Sequence, residues 1–130
     1  DMNAPYVRKA VDWLIAQQRD DGGWGEDGAT SWRERRGEAK ASTPSQTAWA
    51  MLGLMPAGEV THTSVARGAQ FINQAPRTGA NWDQPWYTAV GFPRVFYLRY
   101  HGYSSFFPTW ALGRYASLMR SNTRKVEWGM

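Results

Sequence analysis

Aromatic side chains recur at helical spacing in the second half of the chain, after a proline. Pro93 suits the first position of a helix, because its φ is fixed and it has no N–H to leave unpaired. A helix that begins there places Phe96, Tyr100 and Tyr103 on one face, with Phe92 just before it. Such a stripe is typical of a packed core, but ring faces also stabilise carbocations, because the ring quadrupole attracts positive charge. Spacing alone leaves both readings open.

The charge pattern does not indicate nucleic-acid binding. The chain has 130 residues and a formal charge of +4, and its basic residues are dispersed. The nearest approach to a basic patch, Arg33 with Arg35 and Arg36, is flanked by Glu34 and Glu38, which is typical of a solvated loop. Eight Trp, six Tyr and five Phe are a heavy aromatic load for one small core, and such a surface usually meets a ligand or a partner.

Metal, disulfide and membrane-spanning classes find no support in the sequence. The chain has no cysteine, which suits an intracellular protein and leaves no thiolate ligand for zinc. His62 and His101 lie far apart, so we assign neither a metal nor a cofactor. No cleavable signal pattern is present, and the longest apolar run, residues 48–55, is far shorter than the roughly 20 residues that span a bilayer. We therefore expect no membrane-crossing segment.

Periodicity and helix signals predict an all-α chain. Amphipathic helices are predicted over residues 5–18 and 63–74, and Ser42 or Thr43 can cap a helix that begins at Pro44. Residues 48–55 of that helix are apolar all round, so we expect burial on every face. A last helix is expected to open at Pro108. Residues 24–42 and 76–88 read as loops, and the domain is expected to cover residues 1–120, with a polar tail that frays over 121–130.

An internal repeat links the two amphipathic helices. Trp24 and Trp82 lie 58 positions apart, and the same offset relates two helical segments: Lys9-Ala10-x-x-Trp13-Leu14 and Arg67-Gly68-x-x-Phe71-Ile72. Alternating amphipathic and apolar helices with such a period predict a toroidal stack of helical hairpins, in which each unit buries its face on its neighbours. Two units do not close a ring, so the isolated chain is expected to self-associate through the faces it leaves uncovered.

The first copy of the repeat resembles the QW motif of triterpene cyclases. Its fixed positions read Lys9-Ala10-x-x-Trp13-Leu14-x-x-x-Gln18-x-x-x-Gly22-x-Trp24. In that family a Gln side chain and a Trp ring tie neighbouring outer helices together, so the resemblance implies a structural role for Gln18, Gly22 and Trp24. The second copy keeps Trp82 but has Pro76 where Gln is expected and Ala80 where Gly is expected.

Three further segments resemble the C-terminal end of the squalene-hopene cyclase family, of the bacterial hopene-forming type. They are Ser42-Thr43-Pro44-Ser45-Gln46-Thr47-Ala48-Trp49-Ala50, Gly91-Phe92-Pro93-x-x-Phe96-Tyr97-Leu98-x-Tyr100 and Phe107-Pro108-x-x-Ala111-Leu112-Gly113-Arg114-Tyr115. The resemblance implies an (α/α)6 toroid and a C-terminal fragment of an enzyme that cyclises squalene to hopene or hopanol. It also implies a monotopic enzyme at the cytoplasmic side of a membrane.

The resemblance assigns pocket residues but no acid. Phe92 and Phe96 resemble phenylalanines that face cations of the later rings, and Leu98, Tyr100 and Tyr103 resemble residues that shape the substrate and keep water out. The family protonates an alkene with an Asp of an Asp-x-Asp-Asp motif, which this sequence lacks. The one pair of adjacent aspartates, Asp20-Asp21, reads as a solvated turn. This chain alone is thus expected to be inactive.

Two other classes of protein stay open at this point. One is a helical interaction module that kept the scaffold and lost the chemistry. The other is a prenyltransferase-like subunit, which shares the toroid but needs zinc, and the lack of cysteine and of clustered ligands argues against it.

Overall fold

The computed structural model describes residues 1–38, 41–88, 95–96 and 98–126. Four α-helices carry the fold: α1 (Pro5–Ala16), α2 (Pro44–Leu54), α3 (Thr63–Gln74) and α4 (Tyr103–Arg120). The described part also holds two 3₁₀ helices (Gly28–Ser31 and Arg33–Glu38), a π turn (Met55–Glu59) and a small hairpin of β1 (Arg77–Thr78) and β2 (Asn81–Trp82). The prediction of an all-α fold of helical hairpins is confirmed.

Capping residues fix where the helices start. Pro5 and Pro44 occupy the first turns of α1 and α2, and Thr43 caps α2 by accepting a hydrogen bond from the Gln46 N–H. The His62 Nδ1 accepts from the Ser64 N–H at 3.1 Å and so caps α3. Each cap satisfies a backbone donor that the first helical turn leaves unpaired.

The core is built around α2, which packs against both α3 and α4. Its buried side chains include Met51, Leu52 and Leu54, and they meet Val11 from α1 and Ile72 from α3. The prediction that residues 48–55 are buried on every face is wrong at two positions, because Trp49 is half-buried and Gly53 is exposed. The other helices that the structure describes cover only part of the surface of α2.

The helix expected from Pro93 does not appear in the described residues. Residues 98–100 are not helical, and Phe96 forms an isolated β-bridge. Pro93 itself lies outside the described residues. A short helix of aromatic and β-branched residues is marginal unless one face packs on a core, and Val95, Leu98 and Tyr100 are exposed. The described part of this segment therefore has no buried face to support a helix.

The last helix begins five residues earlier than predicted. Its first residue is Tyr103, and Pro108 lies inside it with its ring buried. A proline at this depth removes the hydrogen bond to the carbonyl of residue 104. The earlier turn persists because Tyr103 and Phe107 pack on Trp49 of α2. After Arg120 the described tail is not helical, but Val126 packs against the core.

Candidate functional site

Aromatic rings from α2 and α4 meet in one group. Trp49 contacts Tyr103 and Phe107 edge to face, at centroid distances of 5.3 and 5.1 Å, and these two rings contact each other at 5.1 Å. Tyr100 stacks on Tyr103 at 4.9 Å, and Trp110 stacks on Phe107 at 6.3 Å. We call these five residues the aromatic cluster. Edge-to-face pairs at these distances fix the ring orientations as well as burying area.

The pocket residues predicted from the sequence lie partly in this cluster. Tyr100 and Tyr103 belong to it, but they stack across the start of α4 and do not share a helical face. Phe96 and Leu98 are exposed and are not in the cluster, with 42% and 50% of their surfaces accessible. Phe92 lies outside the described residues. Of the four predicted pocket residues that the structure describes, two, Tyr100 and Tyr103, thus belong to the cluster.

Sequence reasoning missed Trp49 and Phe107, which hold the centre of the cluster. The repeat carried the signal, because these two residues lie 58 positions apart, as Trp24 and Trp82 do. They occupy equivalent places on α2 and α4, the apolar helices of consecutive hairpins. Equivalent positions on adjacent hairpins face each other across the stack.

The first QW-like segment forms a compact loop at the end of α1. The Gln18 side-chain amide donates to the Gly22 carbonyl and to the Ser64 carbonyl, both at 2.8 Å, so one side chain spans the loop and the first turn of α3. The buried Trp24 ring returns to α1, where its Nε1 donates to the Leu14 carbonyl at 2.8 Å. The backbone N–H of Trp24 donates to the Thr47 hydroxyl, which links the loop to α2.

A matching surface on α3 receives this loop. The Arg67 guanidinium donates to the Arg19 carbonyl at 3.0 Å and to the Asp20 carbonyl at 2.9 Å. Gly22 has φ +87°, and a Cβ there would lie 2.9 Å from the Arg67 carbonyl oxygen. The Trp24 ring lies against Gly68, where an added Cβ would approach it to 3.1 Å. Gly22 and Gly68 therefore let the loop lie close to α3, because they carry no side chain at the points of nearest approach.

The second QW-like segment keeps the hydrogen bond of its tryptophan, but it lacks the glutamine and glycine of the first segment. The Trp82 Nε1 donates to the Ile72 carbonyl at 2.8 Å, the same ten-residue step back as in the first copy. Pro76 has no N–H, so the helical donor that this carbonyl would otherwise receive is absent. The Arg77 guanidinium lies 3.9 Å above the Trp82 ring, in cation–π contact. A Gln tie is not possible here, since Pro76 occupies the position.

Acidic and metal-binding groups do not converge in the part of the chain that the structure describes. There, no three His, Cys, Asp or Glu side chains are grouped to hold a metal ion. Asp21 accepts from the Gly23 N–H and the Ser42 hydroxyl, which is a structural role in the first loop. None of the described helices is long and apolar enough to cross a bilayer.

Comparison with known proteins places the chain in a family. Residues 1–117 match the model of the squalene-hopene cyclase C-terminal domain. The chain is 56% identical over 127 residues to a squalene–hopene cyclase of Bradyrhizobium diazoefficiens, covering 97% of this chain and 19% of that protein. Identity to the Zymomonas mobilis squalene–hopene cyclase is 47% over 125 residues, covering 95% of this chain and 19% of that protein. With human lanosterol synthase it is 33% over 112 residues, covering 86% of this chain and 15% of that protein.

The chain spans about a fifth of the length of the Bradyrhizobium diazoefficiens and Zymomonas mobilis cyclases. It belongs to the squalene-hopene cyclase family.

Proposed function

We propose that this chain forms part of the pocket wall of a triterpene cyclase that converts squalene to hopene or hopanol by proton-initiated polycyclisation. The observation that carries the proposal is the aromatic cluster, in which four rings contact a neighbour at about 5 Å. A wall of this kind stabilises a passing carbocation by its ring quadrupoles.

In this proposal, the acid that protonates the alkene does not come from this chain. Asp20 and Asp21 belong to the loop that docks on α3. The Asp20 carbonyl accepts a hydrogen bond from the Arg67 guanidinium, and the Asp21 carboxylate accepts from the Gly23 N–H and the Ser42 hydroxyl. Neither is placed to protonate an alkene in an apolar cavity. The proton donor is proposed to come from an Asp-x-Asp-Asp motif in another part of a longer protein, and this chain supplies shape and π density.

Within this wall, Phe92 and Phe96 are proposed to face cations of the later rings, while Leu98, Tyr100 and Tyr103 shape the substrate and exclude water. Trp49 and Phe107 add edge contacts that set the plane of Tyr103. Gln18, Gly22, Trp24 and Trp82 are proposed as the ties of the scaffold. The longer protein is proposed to be a monotopic enzyme at the cytoplasmic side of a membrane. It is proposed to take squalene from that membrane.

The test is a chimera of the Bradyrhizobium diazoefficiens cyclase in which its matching segment is replaced by this chain. Squalene is supplied in detergent, and products are separated by gas chromatography with mass detection. The chimera is expected to form pentacyclic product, and Phe96→Leu is expected to release partially cyclised products while Phe96→Tyr keeps full cyclisation. A cation over a desolvated ring gains about 2 kcal/mol, which at about 1.4 kcal/mol per tenfold is enough to redirect a branching cascade.

The matched control is Phe106→Leu, since Phe106 is an exposed ring on α4 outside the cluster. It is expected to leave the product ratio unchanged. If Phe96→Leu and Phe106→Leu give the same products as the unsubstituted chimera, Phe96 does not face a cation. If the chimera folds and makes no cyclic product, the chain is a helical interaction module, and the proposed function is wrong.

A further inference from the structure

Two buried glutamines hold residues 84–88 against the first turn of α2, and we call these five residues the anchored stretch. At one end, the Gln84 Oε1 accepts from the Ser45 N–H at 3.1 Å, and its Nε2 donates to the Ser45 hydroxyl at 3.0 Å. At the other end, the Gln46 Nε2 donates to the Thr88 hydroxyl at 2.9 Å. The residues between these ends are exposed. The anchored stretch is therefore fixed to α2 through its two terminal residues.

The Gln46 side-chain amide makes four hydrogen bonds while it is buried. Its Oε1 accepts from the Glu26 N–H at 2.9 Å and from the Thr43 hydroxyl at 2.8 Å, and its Nε2 donates to the Glu26 carbonyl at 3.0 Å and to Thr88. These bonds use both lone pairs and both N–H groups of the amide. Pairing with the backbone of Glu26 fixes the plane of the amide, so its second N–H has one direction, and the Thr88 hydroxyl lies there.

The anchored stretch contacts the chain on both sides of the segment that carries two proposed pocket residues. Phe92 and Phe96 follow Thr88 by four and eight positions in the sequence. After that segment, the Arg99 guanidinium lies 5.4 Å above the Tyr87 ring, within the range of a cation–π contact. A displacement of the anchored stretch would therefore act on both ends of the segment.

We propose that Gln46 is a positioning residue for the late steps of the cyclisation. Through its bond to Thr88 it sets where the chain enters the segment of Phe92 and Phe96, and so how far those rings stand from the cation. A ring stabilises a cation over its face within about 6 Å of the centroid, so a small shift of the segment weakens the late steps first. This inference rests on the proposed function, because it requires a cation at the wall.

The first experiment uses the chimera described above, with the same product analysis. Thr88→Val removes the hydroxyl that accepts from Gln46 and keeps the size of the side chain. Because one hydrogen bond is lost, the ratio of partially cyclised to pentacyclic product is expected to rise at least about threefold. Thr88→Ser keeps the hydroxyl and is expected to retain the unsubstituted ratio. Gln46→Met is expected to shift the ratio as Thr88→Val does, and the double variant no further, since both break the same bond.

The matched control is Thr47→Val, which removes a buried hydroxyl from the same turn of α2. The Thr47 hydroxyl accepts from the Trp24 N–H at 2.9 Å, so it serves the first loop. This variant is expected to lower the stability of the chimera and to leave the product ratio unchanged. A shift that followed stability alone would appear in both Thr→Val variants.

The second experiment measures the position of the segment without a reaction, by limited trypsin digestion of the full chain. Cleavage after Arg67, inside α3, reports unfolding of the helices, whereas cleavage after Arg99 reports release of the chain that follows the segment. Thr88→Val is expected to raise the rate of cleavage after Arg99, relative to that after Arg67, at least about threefold. Thr47→Val is expected to leave this ratio of rates unchanged. Fragments are counted by mass spectrometry.

An unchanged ratio of cleavage rates in Thr88→Val would overturn the proposal, whatever the chimera makes. It would also be overturned if Thr88→Val gave the same products as the unsubstituted chimera, or the same shift as Thr47→Val. A folded chimera that makes no cyclic product would overturn the role of Gln46 in product formation together with the proposed function. A raised ratio of cleavage rates would in that case still support Gln46 as the residue that holds the segment, so the two failures can be told apart.

Discussion

Substitution of Gly22 by alanine tests how tightly the first loop must approach α3. Gly22 has φ +87°, and its added Cβ would lie 2.9 Å from the Arg67 carbonyl oxygen, which is backbone and cannot rotate away. A left-handed conformation costs a non-glycine residue about 1–2 kcal/mol, and the stiffer unfolded chain offsets part of this. The loop must also move away from α3, which lengthens the Gln18 bond to Ser64 and the two Arg67 bonds.

We expect Gly22→Ala to lower the free energy of unfolding by about 3 kcal/mol, of which about 1 kcal/mol is backbone strain. The remainder comes from the displaced hydrogen bonds, at about 1 kcal/mol for the half-buried bond from Gln18 to Ser64 and about 0.5 kcal/mol for each of the two exposed Arg67 bonds. Gly58→Ala separates the two parts. Gly58 has φ +94°, and its added Cβ would meet nothing within 4 Å, so this variant carries the strain without the collision.

The assay is urea unfolding followed by circular dichroism, with thermal melts of the same proteins. Gly22→Ala is expected to be about 2 kcal/mol less stable than Gly58→Ala, which for a chain of this size is about 8 °C in Tm. Equal losses in the two variants would refute the reasoning, because the close approach of the loop to α3 would then contribute nothing.

Three other outcomes are expected. In urea unfolding, Trp82→Phe should lower the free energy of unfolding by about 1 kcal/mol more than Trp24→Phe does. When the indole donor is removed, the Leu14 carbonyl still accepts a hydrogen bond from the Gln17 N–H, whereas the Ile72 carbonyl receives none from Pro76, which has no N–H. Equal losses in the two variants would contradict this. The isolated chain should give no cyclised squalene above a no-protein blank, and product above the blank would show an acid that the sequence does not reveal. It should also self-associate at micromolar concentration by light scattering, through exposed rings such as Tyr6, Trp13 and Phe106; a monomer that binds no hydrophobic dye would count against this.

The sequence by itself determined the helices that have strong local signals and the repeat that relates them. Pro5 and the pair Thr43–Pro44 predicted the starts of α1 and α2, because caps and first-turn prolines act through their own backbone. The offset between Trp24 and Trp82 predicted equivalent hairpins, and their indole bonds reach equivalent carbonyls. The roles of these residues as ties, and of the pocket residues, stay predictions.

Only the tertiary structure decided where α4 begins and which rings form the cluster. Pro108 is a good local start signal, yet the helix begins at Tyr103, because that residue gains contacts with Trp49 more than fifty positions away. Residues 98–100 are exposed, and there the aromatic spacing predicted a helix that did not form. Local chemistry sets the ends of a helix where a cap is present. Where it is not, burial against distant residues decides, since a short helix gains most of its stability from the face that it buries.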